Sequence, residues 1–94
     1  MIYRIHLTAG DDGSGVPRGL PVSETRKRAD AAADLAETLC WNSIRANNGY
    51  EDAAPYELTA EATRALADVR AIDVERGGHA TFYGRTLFIT PSRS

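Results

Sequence analysis

The sequence predicts a two-layer α+β domain of element order β-α-α-β-β-β, with a mostly antiparallel four-stranded sheet covered on one face by two helices. Three observations predict it. Residues 1–9 alternate between apolar and polar side chains. Between residues 24 and 70, two stretches repeat small and apolar residues at helical spacing. Residues 72–90 hold three short strand-like runs punctuated by glycines, at Gly77-Gly78 and at Gly84-Arg85.

The first strand places Tyr3, Ile5 and Leu7 on one side and Ile2, Arg4, His6 and Thr8 on the other. It is expected to join the C-terminal strands with its apolar side on their apolar face. Gly10–Pro21 follows, with four Gly, two Pro and two Asp. It reads as a flexible loop, long enough to be either functional or mobile.

Ser23 is a suitable N-cap with Glu24 in the first turn, so the first helix is expected from about Glu24 to Ala46. Asn47-Asn48-Gly49 supplies its stop. Placing residues at 100° intervals gathers Ala29, Ala32, Ala36, Leu39, Cys40 and Ser43 on one face. Asp30, Asp34, Glu37, Trp41 and Arg45 fall opposite. Residues 50–57, with Pro55, read as a linker. Thr59 then caps a second helix over about Ala60–Arg70, with Glu61 near its start. That helix is expected to bury Leu58, Ala62, Ala65, Leu66 and Val69.

The register of the C-terminal meander follows from hydrophobic pattern. A Gly84-Arg85 turn pairs Phe82 with Leu87 and Ala80 with Ile89. A three-residue loop at Arg76-Gly77-Gly78 puts Ile72 and Val74 on the same apolar face, whereas a two-residue loop would put Asp73 and Glu75 there. The rival reading continues the second helix to Arg76 with Gly77 as its cap. Pro91–Ser94 reads as a frayed tail.

With 94 residues the chain reads as one small domain. A single cysteine excludes an intramolecular disulfide and fits a reducing compartment. No apolar run approaches membrane-spanning length, and the alternation begins at Met1, so a cytoplasmic protein with no membrane role is expected. The net charge of −2 hides an asymmetry: residues 1–28 carry +2, residues 29–75 carry −7 and residues 76–94 carry +3. Such a bipolar surface bears on partners rather than on fold.

Several chemistries can be weighed. The glycines of GDDGSGVPRG match neither GxGxxG nor GxxxxGK[ST]. Arg26, Lys27 and Arg28 crowd the expected helix start, where the dipole disfavours cations. An anion docked there, with Arg18 reaching across, would account for them. The plainer reading is a solvated patch paired with Asp30, Asp34 or Glu24. Asp11 and Asp12 suggest calcium, but the twelfth position of such a loop is Val22 and not Glu. Cys40 sits on the apolar helix face, away from His6 and His79, so neither a nucleophilic set nor a zinc site forms, and no metal or cofactor is expected. Tyr83, Phe88 and His79 could make a stacking platform on the outer sheet face, or be covered by a second subunit.

Trp41 is read either as covered by the Gly10–Pro21 loop or the 47–57 linker, or as an aromatic anchor among Asp30, Asp34, Glu37 and Arg45. The leading functional expectation is a small non-catalytic interaction module, an inhibitor or decoy of the phage or mobile-element type. It would bind a basic surface of nucleic-acid machinery through the first helix. The alternative is a nucleic-acid or phosphate-ligand module using Arg18, Arg26, Lys27 and Arg28. Homodimerisation through a sheet edge is compatible with either. An enzyme ranks last, because no titratable pair stands at a recognisable spacing.

Overall fold

A computed structural model describes residues 1–9, 22–48 and 59–93. The expected loop Gly10–Pro21, the linker 50–57, and Leu58 lie outside the described residues. The architecture is the expected α+β class: a four-stranded antiparallel sheet and two helices. In chain order the elements are β1 (Ile2–Ala9), β2 (Val22–Arg26), α1 (Ala29–Asn48), α2 (Ala60–Arg70), β3 (Gly78–Phe82) and β4 (Arg85–Ser92). The strands lie in the order β2-β1-β4-β3.

The long strands β1 and β4 form the centre, in a register that sets Ile5 opposite Ile89 and Leu7 opposite Leu87. Period-two alternation puts Tyr3, Ile5, Leu7, Ala80, Phe82, Leu87 and Ile89 on one face, and all are buried. Against them pack Ala32, Ala36, Cys40 and Ile44 of α1 and Ala62, Ala65, Leu66 and Val69 of α2. The alanines let the helix backbones come close to the sheet. Thr59 caps α2 as expected, its hydroxyl accepting from the Ala62 N–H at 3.1 Å.

Two elements differ from the sequence expectation. Residues 22–26 are a strand, not the first turns of α1. They pair with β1, Glu24 opposite Ile5 and Arg26 opposite Tyr3. Ser23 is therefore no N-cap. The first bond of α1 runs from the Ala32 N–H to the Arg28 carbonyl, which places Arg28 at the cap. A local capping signal yielded to the open hydrogen-bonding edge of β1.

Residues 72–77 are neither strand nor helix. Asp73 organises a turn there. Its carboxylate accepts from the Glu75 N–H at 3.1 Å, and its carbonyl accepts from the N–H groups of Arg76 (3.1 Å) and Gly77 (2.8 Å). An aspartate that binds backbone two residues on competes with a strand ladder. The fourth strand is thus β2 and not residues 72–76, while Ile72 and Val74 still pack against the core from the turn.

The β3–β4 turn is Tyr83-Gly84, both at positive φ (50° and 70°), instead of Gly84-Arg85. Ala80 pairs with Leu87 and Phe82 with Arg85. Each partner moves by two residues, so the same side chains share a face and the apolar set is kept. The C-terminal residues are also more ordered than a frayed tail. Pro91 and Ser92 belong to β4, opposite Tyr3 and Ile2. β3 has ended by that point, and β4 tolerates a proline where it lacks a neighbour.

Ser43 is buried in the α1 face, and its hydroxyl has no hydrogen-bond partner among the described residues. An unpaired buried hydroxyl costs free energy that a methyl would not. Ser43→Ala should therefore raise stability by about 1 kcal/mol. A rise in the urea midpoint at unchanged slope would show it; a fall would mean that the hydroxyl is satisfied.

Candidate functional site

The outward side of α1 carries Asp30, Asp34, Glu37, Trp41 and Arg45 in one stripe, over a rise of about 22 Å at 1.5 Å per residue. Asp30, Asp34 and Arg45 are exposed, and Glu37 and Trp41 are partly buried. The structure joins three of them. The Arg45 guanidinium lies 5.9 Å from the Trp41 ring centroid, within cation–π range. Arg70 of α2 donates to Glu37 Oε1 from Nε at 3.2 Å and also from Nη2. The Arg70 bond, with a smaller contribution from the Trp41 indole, holds the Glu37 carboxyl below the usual carboxylate range. Arg70, Glu37, Trp41 and Arg45 thus form a continuous chain of contacts from α2 along the flank of α1. Arg70 lies 33 residues from Glu37, so no local spacing signals its part in this chain.

Trp41 falls between the two sequence readings. It packs against the edge of the core cluster while part of its surface stays accessible. Asp30 stands apart at the helix start. Arg28 donates to it through two bonds, of 3.1 and 2.9 Å, and holds its carboxyl low. The Ala31 N–H donates to the same carboxylate at 3.0 Å. Asp34 has no ion pair among the described residues. The negative charge of the stripe is therefore partly neutralised internally, at Asp30 and Glu37, and its outward component rests on Asp34.

The expected anion site changes more. Arg26 belongs to β2, on the helix-covered side of the sheet, with Glu24 3.6 Å away. Arg28 is engaged by Asp30, and Lys27 is exposed in the bend between β2 and α1. Of these cations only Arg28, at the cap, stands at the start of α1, and Asp30 neutralises it there. The anion at that helix start is the chain's own Asp30, where the dipole favours it. The plainer pairing with Glu24 and Asp30 is the one observed. Arg18 lies outside the described residues.

The expected stacking platform does not assemble. Tyr83 lies in the β3–β4 turn and packs towards the core. Phe88 is on the outer sheet face but only 5% exposed, with the His79 ring 5.7 Å away. Phe88 is thus buried within the single chain, while Tyr83 keeps part of its surface exposed. Cys40 is fully buried, and burial pushes its thiol up to about 11, which keeps it protonated and unreactive at neutral pH. Among the described residues, no group of three His, Cys, Asp or Glu side chains is placed to hold a metal ion. No helix of the described residues is long and apolar enough to cross a membrane.

Beside the stripe lies a slot of ≈ 120 Å³, between α1, the stretch running from the end of α2 into the Asp73 turn, and Ile89 of β4. Ala33, Val69, Ile72 and Val74 supply apolar walls, with Glu37 and Arg70 at the rim. Sequence periodicity had no means of finding it, because its walls come from three separate segments.

The fold and the stripe define a class, a small two-layer α+β domain with a charged and aromatic helix flank. Compared with known proteins, the chain matches no family model, and no curated protein or solved structure is significantly similar to it.

Proposed function

We propose that the chain is a small interaction module that docks a larger protein through the α1 stripe, with Trp41 as anchor and Asp34 facing basic groups of the partner. The observation that carries this reading is the half-accessible indole of Trp41, held between Arg45 and the Arg70–Glu37 bridge. Side-chain order is already established there before any partner arrives, which lowers the entropic cost of binding. Tryptophan is enriched among the residues that dominate binding energy, and flanking carboxylates speed encounter with a cationic surface. An inhibitor or decoy acting on nucleic-acid machinery is one form such a module takes, since that machinery presents basic surfaces.

The test uses the full chain as bait in lysate of its source cells, beside Trp41→Ala and Asp34→Lys. The proposal expects one partner, identified by mass spectrometry, whose recovery falls roughly tenfold or more in both variants. Recovery unchanged by Trp41→Ala would overturn it. Binding to short single-stranded oligonucleotides that weakens steeply with salt would favour a nucleic-acid module instead.

A further inference from the structure

We propose that the pocket between α2 and the β3–β4 turn is a second binding site, which takes one alkylammonium or guanidinium group through Glu61 and Tyr83. Neither residue belongs to the α1 stripe, so this site stands or falls apart from the docking reading.

The charge of the lining decides the class of ligand. The pocket measures ≈ 240 Å³. Its charged lining is Glu61, Arg64 and Asp68, two carboxylates and one guanidinium. Arg64 Nε lies 3.8 Å from Asp68 Oδ2, so these two answer each other. Glu61 is exposed and has no ion pair among the described residues. One negative charge is therefore left over in the pocket, and a single cation completes it. Ala65 and Phe82, both buried, supply apolar lining for the arm that carries the cation.

The backbone at Tyr83 is the independent observation. Tyr83 has φ 50° and Gly84 φ 70°. A two-residue hairpin loop with both central residues at positive φ favours Asn-Gly, and a bulky aromatic in that region is an outlier. Such strained positions gather at ligand sites. Tyr83 lines the pocket and is only partly buried. Its ring gives the cation an aromatic neighbour beside the Glu61 carboxylate.

Titration of the isotope-labelled full chain, followed by NMR, tests this. The probes are the Nα-acetyl amides of arginine and lysine, and a pentapeptide with one arginine between alanines. The amides of glutamate and leucine are controls. Expected is saturation at millimolar concentration by the cationic probes alone, with the largest shifts at the backbone amides of Glu61, Ala65 and Tyr83. Glu61→Gln should weaken binding roughly fivefold and Tyr83→Asn roughly threefold, while Glu75→Gln, outside the pocket, changes nothing. Urea unfolding checks that each variant folds, and Glu61→Gln, at an exposed position, is expected to. Saturation by the single-residue amides identifies a small-molecule ligand; saturation by the pentapeptide alone identifies a side chain of a partner. No saturation by any cationic probe, equal binding of the glutamate or leucine amide, or indifference to Glu61→Gln or to Tyr83→Asn would overturn the inference. Loss of this site leaves the Trp41 result on the α1 stripe untouched.

Discussion

Gly77→Ala should destabilise the fold by about 3 kcal/mol or more, while Gly84→Ala should cost only about 1–2 kcal/mol. Both glycines have positive φ, 86° and 70°, so both substitutions carry the left-handed penalty of an L residue. Their surroundings differ. A Cβ on Gly84 meets nothing within 4 Å. A Cβ on Gly77 would lie 2.8 Å from the Ile89 carbonyl oxygen and 2.8 Å from Pro91 Cδ. Those atoms belong to the central strand, whose pairing with β1 runs through the same residues, so relief requires moving the ladder or the Asp73 turn. Urea unfolding of the two variants measures the difference. Equal losses would mean that the turn and β4 are further apart than described.

Leu87→Ala and Ile5→Ala should each cost 2–5 kcal/mol, by lost burial and by the cavity left behind. Both side chains are fully buried, on the two central strands, in the core cluster to which both helices contribute. Domains of this size are commonly stable by only about 5–15 kcal/mol in total, so either change removes a large share. A loss of 1 kcal/mol lowers the melting temperature of a domain of 60–100 residues by about 4–8 °C, so a fall of 10 °C or more is expected. Met1→Ala, at a side chain that is 51% exposed, is the control and should change little. If Leu87→Ala melted like that control, the sheet face would not be the core.

The interhelix bridge carries a pH dependence whose sign is fixed. Glu37 is held below the usual carboxylate range by Arg70. Its contribution is therefore present above the unfolded-state value and is lost as pH falls through the lowered folded one. The effect should be small, because the pair is solvent-screened.

The class of fold was legible in the sequence because alternation and helical spacing record which side of each element is buried. Tyr3, Ile5 and Leu7, the alanine face of α1, and Ala62, Ala65, Leu66 and Val69 all announce themselves in that way, and all pack as expected. The Thr59 cap was equally local. Strand β2 was not legible. Val22-Ser-Glu-Thr-Arg26 has no apolar alternation, and its strand form follows from the free edge of β1. The stretch 72–76 failed in the opposite sense, since Ile72 and Val74 alternate like a strand while Asp73 binds the backbone into a turn.

The candidate site divides along the same line. Asp30, Asp34, Glu37, Trp41 and Arg45 share a stripe because a helix repeats every 3.6 residues, and the sequence alone determined that. Which of their charges face outward was decided by Arg28 and Arg70, and the slot by three segments meeting over the core. Periodicity reports the side of an element that is buried, but electrostatic pairing and cavities depend on which elements become neighbours, and that is set only when the whole chain has packed.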